Sequence, residues 1–399
     1  MARVKAQINS AVLAWARNSA GLSPDEAAAK VAGATNAERV LAWERGEDLP
    51  TIGQLRKLAE AYRRPLSLFY LAEPPDDFHP MHDFRRLPGE VANVFSPAVR
   101  REIRLAHERR SLALELLQDI EIEPRPFELA ATMRDAPDTV ADSIRDALQV
   151  THEEQTAPRN RGTNSLRYWR HKVEAAGVIV FQAAHIPAAE MLGFSIVAPV
   201  LPVVVVNQKT RGARVFTLIH ELTHLMLRTS GICDLDEDAM RPPEEQRVEV
   251  FCNAVAGAAL VPARDILSDP IVGPRGVGRH EWDDDQLDVL ATRYGVSHEV
   301  ILRRLLTLNR TTAEFYRQKR AEFMARYVAM EARLKEQRGD DEIKRNIPQE
   351  TVTALGAPFV RLVLNNYYQD HITLSDVAGY LGVRVRHVPK IEESVGAGQ

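Results

Sequence analysis

The sequence predicts a mainly α-helical protein with a small β-sheet, an α+β chain of several domains. Helical periodicity recurs over most of the 399 residues, whereas the β-branched run "PVVVVN" near the middle is typical of a buried strand. Proline and glycine divide the helical stretches into short groups. With 45% hydrophobic residues, the chain is long enough for two or three ordinary cores.

The composition argues against several classes of protein. A net charge of −4 with mixed signs does not predict a chain that binds nucleic acid or anionic lipid over its whole surface. Two cysteines, Cys233 and Cys252, are too few for a disulfide framework, which favours a cytoplasmic location. Pro199 and Pro202 break the longest apolar run, so we expect no membrane span and no membrane partner.

The first 75 residues predict a small helical domain with a helix-turn-helix. Three capping-box patterns, each typical of a helix start, follow one another at short intervals. They are Ser23 with Glu26, Thr35 with Glu38, and Thr51 with Gln54. Three short helices in succession are the arrangement that places a recognition helix in the major groove of DNA.

Three polar residues lie on or beside the expected recognition helix and are candidates to contact DNA: Asn36, Arg39 and Arg45. Residues 1–75 hold ten Lys and Arg against eight Asp and Glu, a net charge of only +2. This is a weak electrostatic footprint for double-stranded DNA, and a homodimer would double it. The alternative is a module that docks on a similar domain of a repressor.

Residues 76–155 predict a helical connector without recognisable chemistry. A proline-rich stretch around residues 73–90 predicts a linker that includes His79 and His82, whose metal-like spacing has no further ligand beside it. Residues 97–120 carry apolar positions at helical spacing, and "DTVADSIRDALQV" predicts another amphipathic helix.

Residues 156–310 predict a different kind of domain, in which helices surround a small sheet. The segment "LRYWRHKVEAAGVIVFQ" predicts a helix that leads into a strand, and "MLGFSIVAPVLPVVVVN" predicts paired strands. A helix begins after Pro243 and ends before Pro262, and a turn at Gly295 separates two later helices. Residues 311–399 predict a charged helix and a small helical unit.

The stretch "FTLIHELTHLM" carries the chemistry of this domain. On a helix, residues four apart share a face, so His220 and His224 can converge on one cation. Zinc suits two imidazoles, since it accepts nitrogen and oxygen ligands and keeps a position open for water. Glu221 would then act as general base in peptide hydrolysis.

A third protein ligand is expected downstream of the two histidines. The candidates are the acidic residues that follow them, with Cys252 as a thiolate alternative: Asp234, Asp236, Glu237, Asp238, Glu244, Glu245 and Glu249. Glu249 is favoured, because a carboxylate inside the apolar helix "VEVFCNAVAGAAL" needs a partner such as a metal. Asn253 lies four residues on and could bind a ligand or the substrate backbone, or only pack between helices.

Three blocks in order resemble the ImmA/IrrE family of metallo-endopeptidases. They are "GFSIVAPVLPVVVVNQKTRGARVFTLIHELTHLMLR", "EVFCNAVAGAALVP" and "LATRYGVSHEVILRRLLTL". The segment from "VLAWARN" to "LFYLAEPP" is similar to the Xre-type helix-turn-helix that often precedes that domain. The similarities together cover most of residues 8–308.

The resemblance implies a zincin-like domain in which His220, His224 and Glu249 hold zinc and Glu221 is the base. It also implies a protein substrate, a helix-turn-helix repressor or antitoxin, since members control DNA-damage responses, mobile elements or defence systems. The chain departs from the family at Thr223, where glycine is frequent, and at Val261, where methionine is frequent.

A second function is compatible with the same residues. The protein could be a non-catalytic transcription regulator or antitoxin whose metal domain is sensory or structural, in which case Glu221 has no role as a base. The group that stabilises the oxyanion also stays open among His280, Tyr294 and backbone amides of the "PVVVVN" strand.

Overall fold

The computed structural model describes residues 5–31, 36–62, 64–75, 82–83, 95–188, 190–208, 214–229, 231–233, 243–278, 280–337 and 346–396. Helices dominate these residues and one small mixed sheet accompanies them, which confirms the predicted mainly α, α+β class. Contacts group the chain into two compact units, Met1–Met81 with Glu90–Leu105 and His82–Gly89 with Ala106–Gln399. The finer domain boundaries at residues 75, 155 and 310 stay a prediction.

The described residues 5–75 of the N-terminal unit form four short helices. They are α1 (Ser10–Ala20), α2 (Pro24–Lys30), α3 (Ala37–Glu44) and α4 (Ile52–Tyr62), followed by a 3-10 turn over Leu66–Tyr70. Ser23 and Glu26 form the predicted capping box at the start of α2. The start of α3 differs from the prediction, because Asn36 caps it by accepting a hydrogen bond from the backbone amide of Arg39. Thr35, predicted as the cap, lies outside the described residues.

The helix-turn-helix is held by a buried core and one buried ion pair. Trp43 and Leu55 are fully buried between the helices. Arg17 on α1 donates two hydrogen bonds, of 2.7 and 3.0 Å, to the carboxylate of Glu44 at the end of α3. This pair fixes the end of α3, the helix expected to meet DNA.

The second unit holds the sheet and the remaining helices. The strands are β1 (His82–Asp83), β2 (Ile179–Ala183), β3 (Gly193–Ile196), β4 (Val203–Asn207) and β5 (Gly231–Cys233). The helices are α5 (Pro97–Asp119, which begins in the first unit), α6 (Pro137–Ala147), α7 (His152–Thr156), α8 (Ser165–Ala175), α9 (Arg214–Met226), α10 (Pro243–Leu260), α11 (Ala263–Ser268), α12 (Asp284–Tyr294), α13 (His298–Thr307), α14 (Ala313–Gln337), α15 (Ile347–Leu355), α16 (Ala357–Tyr368), α17 (Leu374–Leu381) and α18 (Val388–Gly396).

The strands form a mixed sheet in the order β1-β5-β3-β4-β2. The predicted pairing within the long apolar run is confirmed, since β3 and β4 are antiparallel neighbours. Strand β2 pairs with β4 in parallel, after the predicted passage from helix α8 into a strand. The linker prediction for residues 73–90 was wrong in one respect: the backbone of His82–Asp83 pairs in parallel with β5, because that edge of the sheet leaves its peptide groups open to another strand.

The two faces of the sheet pack against different helices. Gly193 stands opposite Val206, and both face α9. The opposite face carries Phe181, whose ring meets Phe359 of α16 edge-on at 5.6 Å between centroids. The C-terminal helices therefore cover the side of the sheet that faces away from α9.

The segment predicted as a connector is part of this second core. Val140 and Ile144 of α6 are buried in the same cluster as α9 and α10. Arg145 donates a 2.8 Å hydrogen bond to the carbonyl oxygen of Ala259, and Gln155 donates one of 2.7 Å to that of Leu260. These bonds satisfy carbonyls that a buried helix end leaves without intrahelical partners. The connector thus fixes the C-terminal end of α10.

Over the part of the chain that is described, no helix is both long and apolar enough to cross a bilayer.

Candidate metal centre

Helix α9 is buried on every side, and this places three ionisable side chains inside the protein. Residues 215–226 are all buried, and His220, Glu221 and His224 are fully so. An isolated charged group is unstable in such surroundings, because removing one ion from water without a partner costs on the order of several kcal/mol in desolvation free energy. The fold must therefore supply a compensating partner for these groups.

Glu249 on α10 is the partner that the fold brings to the two histidines. Its Oε1 lies 3.1 Å from His224 Nε2, and its Oε2 lies 3.4 Å from His220 Nε2. The two Nε2 atoms are 3.1 Å apart. All three side chains are fully buried, and one ligand atom from each lies within 4.8 Å of the others.

These spacings fit a tetrahedral cation. Ligand atoms around zinc with bonds of about 2.0–2.1 Å lie about 3.3 Å apart in tetrahedral geometry. Two imidazole nitrogens and one carboxylate oxygen are also a donor set that zinc accepts at catalytic sites, where the fourth position stays open. The cluster therefore fits the predicted metal on both spacing and chemistry.

The charges of the three groups depend on one another. Burial opposes protonation of His220, but Glu249 outweighs it, with smaller contributions from Glu221 and Asn253, and raises its pKa. Burial lowers the pKa of His224. Burial would raise the pKa of Glu249, yet the two histidines hold it well below its ordinary value. Glu249 is therefore an ionised, fully buried carboxylate that needs positive charge beside it.

The far nitrogen of the His224 imidazole has a neighbour of its own. Thr229 Oγ1 lies 3.0 Å from His224 Nδ1, and an outer contact of this kind orients a metal-binding imidazole. Asn253 is buried on α10 and raises the pKa of His220, whereas His220 Nδ1 has no hydrogen-bond partner among the described residues. Sequence reasoning singled out Asn253 but missed Thr229, because a threonine just beyond a helix end carries no signal of its own.

Glu221 lies against the sheet at a position that a glycine leaves open. A Cβ atom on Gly193 would come 3.0 Å from Glu221 Oε1 and 2.6 Å from Thr217 Cγ2. The carboxylate that was predicted as the base can reach this place only because β3 has no side chain there. Gly193 was also missed from the sequence, since its contact depends on strand register.

The other candidate ligands lie outside the cluster or outside the described residues. Glu244 and Glu245 lie in the first turn of α10, away from the buried part of the helix. Burial, reinforced by Glu249 and Glu221, raises the pKa of the Cys252 thiol well above its ordinary value, which keeps it protonated. The remaining four candidates lie outside the described residues: Asp234, Asp236, Glu237 and Asp238.

The oxyanion candidates have other contacts. The ring of His280 lies 3.3 Å from the carbonyl oxygen of Gly276, and the ring of Tyr294 meets that of His152 at 6.0 Å. Neither contact involves the cluster, and the oxyanion assignment stays open.

The candidate DNA-contacting residues lie on α3 or at its ends. Asn36, Arg39 and Arg45 are all exposed. Arg45 is already paired with Glu38 and Glu47, at 2.7 Å each, whereas the guanidinium of Arg39 lies 5.8 Å over the Trp43 ring. Arg39 is therefore better placed than Arg45 to give its charge to a phosphate.

Comparison with known families assigns both parts of the chain. A model described as the IrrE N-terminal-like domain matches residues 178–306, which include the whole His-His-Glu cluster. A helix-turn-helix model matches residues 13–69. The two matches, in this order, agree with the domain architecture that the sequence resemblance implies. The family of the first match consists of metal-dependent peptidases, which supports a metallopeptidase. The search of curated proteins gave no match.

The two departures from the family pattern leave the IrrE-like domain intact. Thr223 is buried, and its hydroxyl donates a 2.9 Å hydrogen bond to the carbonyl oxygen of Ile219 within the helix. Val261 is buried, and its carbonyl oxygen accepts a 2.8 Å bond from Arg304. Each replacement is satisfied locally, and neither displaces a cluster residue.

Proposed function

We propose that the protein is a zinc-dependent endopeptidase that cuts a regulatory protein, a helix-turn-helix repressor or antitoxin. The observation that carries the proposal is the fully buried cluster of His220, His224 and Glu249, with Glu221 on the same helix as the histidines. A buried carboxylate and two facing imidazoles destabilise a fold unless they bind a cation or exchange protons. The match to a metallopeptidase domain supports the same reading.

The roles of the side chains follow from their chemistry. His220 and His224 offer Nε2, Glu249 offers a carboxylate oxygen, and together they would hold the zinc ion. When bound, zinc supplies a Lewis acid that lowers the pKa of a water molecule and polarises a carbonyl group. Glu221 then takes a proton from the attacking water and delivers it to the leaving amine. The buried walls around α9 exclude bulk water, which strengthens these charge interactions.

The N-terminal domain supports a role in regulation. Its match to a helix-turn-helix family supports a protein that binds DNA or a similar domain of a repressor. A peptidase joined to such a domain can be brought to its substrate at the operator. We place the protein in the cytoplasmic control of a stress response, a mobile element or a toxin-antitoxin system.

The experiment that tests the peptidase compares wild type with Glu221→Gln. The substitution keeps the shape of the side chain and all three ligands while removing the base. New protein N-termini would be enumerated by mass spectrometry in cells that produce each protein at equal levels and with equal zinc content. We expect internal N-termini of a helix-turn-helix regulator with wild type alone; the same set with both proteins would contradict the proposal.

The same pair of proteins distinguishes the second function. If regulation persists in Glu221→Gln, the result favours a non-catalytic regulator, because the matched helix-turn-helix domain needs no base to bind DNA. If reporter expression instead changes only with the active peptidase, regulation acts through cleavage.

The DNA-binding part has its own test. The operator sequence would first be selected with the wild-type protein. Arg39→Ala is expected to weaken binding to a duplex that carries this operator, and to reduce the salt dependence of the binding constant by about one phosphate contact. Arg45→Ala is the matched control, since the Arg45 charge is already paired with Glu38 and Glu47. Equal losses in both variants would argue against Arg39 as a phosphate contact.

A further inference from the structure

We propose that Thr229 is a positioning residue that fixes the tautomer and orientation of His224 for metal binding. This inference rests on the proposed zinc site. It concerns a residue just beyond the end of α9, outside the HELTH motif itself.

The hydroxyl of Thr229 makes two contacts with His224. Its oxygen lies 3.0 Å from the ring Nδ1, and it donates a 3.3 Å hydrogen bond to the backbone carbonyl oxygen of the same histidine. Because the hydroxyl donates its proton to the carbonyl oxygen, the Thr229 oxygen presents a lone pair to Nδ1 and accepts a hydrogen bond from the Nδ1–H group. The proton on Nδ1 leaves Nε2 with its lone pair directed at Glu249 and His220.

A left-handed turn brings Thr229 to this place. Helix α9 ends at Met226, and Arg228 then adopts φ of 58°, a conformation that residues other than glycine seldom take. The turn returns the chain to the helix, since the amide of Thr229 donates a 3.0 Å bond to the carbonyl oxygen of His224. Strained backbone of this kind persists only where other contacts hold it.

The connector supplies those contacts. The guanidinium of Arg228 donates a 3.0 Å bond to the carbonyl oxygen of Phe127 and lies 5.4 Å over its ring. Phe127 is in turn fixed by a 2.9 Å bond from its amide to the carbonyl oxygen of Pro199. The amide of Ala131 binds the carbonyl oxygen of Met226 at 3.1 Å. The segment before α6 thus stabilises the turn that positions Thr229.

Of the two histidines in the cluster, His224 is the one with a hydrogen-bond partner at Nδ1. A neutral imidazole carries its proton on either ring nitrogen, and a hydrogen bond at one of them selects the tautomer. Thr229 makes that contact at His224, whereas His220 Nδ1 has no hydrogen-bond partner among the described residues.

The test measures zinc affinity by competition with a coloured chelator, with the full chain. Thr229→Val removes the hydroxyl at nearly constant shape, and we expect zinc binding to weaken by about tenfold or more, the usual effect of losing such an outer contact. Thr229→Ser keeps the hydroxyl and is expected to stay within about threefold of wild type. Thr229→Ala repeats the loss with a different shape.

Thr223→Val is the matched control. Thr223 is a buried threonine of α9 whose hydroxyl donates a hydrogen bond to the carbonyl oxygen of Ile219 and contacts no imidazole. Its loss should leave zinc affinity unchanged, and thermal unfolding of the metal-free proteins checks that all variants are folded.

The outcomes distinguish a failure of the Thr229 role from a failure of the proposed zinc site. Wild-type affinity in both Thr229→Val and Thr229→Ala, with tight binding by wild type, overturns the role of Thr229 and leaves the zinc site standing. An equal loss in Thr223→Val overturns it as well, since packing alone would then explain the effect. No zinc binding by wild type overturns both.

Discussion

A glycine and two histidines define how the candidate site works at the scale of single residues. Gly193 leaves room for the Glu221 carboxylate, and His220 and His224 direct their Nε2 atoms at Glu249. Each of these side chains is fully buried, so an error of a few tenths of an ångström cannot be absorbed by solvent. The site therefore depends on close packing as much as on the identity of its ligands.

Gly193→Ala tests this dependence. The new Cβ would lie 2.6 Å from Thr217 Cγ2 and 3.0 Å from both Glu221 Oε1 and the carbonyl oxygen of Val205. We expect the cleavage that Glu221→Gln abolishes to fall at least about tenfold, and the free energy of unfolding to fall by about 1–3 kcal/mol from overpacking. Zinc content should stay at the wild-type value, since no ligand is touched.

Gly257→Ala is the control for the glycine substitution itself. A Cβ there meets nothing within 4 Å, and alanine stabilises a helix interior by about 0.5–1 kcal/mol over glycine. Adding Thr217→Ser to Gly193→Ala removes the closest clashing methyl group and should restore part of the activity. Full activity in Gly193→Ala alone would contradict the packing argument.

Short-range patterns explain which elements the sequence could predict. The predicted capping boxes of Ser23 with Glu26 and of Thr51 with Gln54 fall where hydroxyls meet amides three residues on, and both are present in the structure. The spacing of His220 and His224 is equally local. Strand β1 and the turn at Arg228 could not be predicted, because each exists through partners far away in the sequence.

The sequence predicted the C-terminal helices but no role for them. Phe359 of α16 is buried against Phe181 of β2, on the face of the sheet opposite α9. Asn366 of the same helix is buried and donates a 3.0 Å hydrogen bond to the carbonyl oxygen of Leu116. These helices therefore complete the core behind the sheet that supports the candidate site.

Phe359→Ala is expected to lower the free energy of unfolding by about 3–5 kcal/mol, the usual cost of a large cavity in a core. Denaturant unfolding followed by circular dichroism measures it. Asn365→Ala, an exposed position of the same helix, should change stability by less than about 0.5 kcal/mol. A similar small change in both would mean that α16 is not needed to cover the sheet.

At the scale of the whole molecule, the net positive charge of the N-terminal residues and the candidate metal ligands belong to different parts of the chain. Residues 1–75 carry a net charge of +2, whereas the entire chain carries −4. All three cluster residues belong to the second unit, and they come from two helices, α9 and α10. A bound cation would therefore connect two helices of that unit and stabilise it by mass action.

Chelation of the purified protein should lower the melting temperature of the second unit and leave that of the helix-turn-helix unit in place. Zinc at about one hundred times its Kd contributes about 2.7 kcal/mol to the folded state, which is enough to shift a calorimetric transition by several degrees. The variant His224→Ala should show no further shift on chelation. A wild-type melting temperature of the second unit that the chelator does not change would argue against a structural contribution of the metal.

Elemental analysis of the purified protein shows whether the cluster of His220, His224 and Glu249 binds zinc, with wild type measured beside Glu249→Ala and Glu221→Gln. We expect about one zinc per chain in wild type and in Glu221→Gln, and loss of that zinc in Glu249→Ala, because Glu249 is a ligand and Glu221 is not. Absence of zinc from wild type after reconstitution, or its retention in Glu249→Ala, would rule out the proposed site.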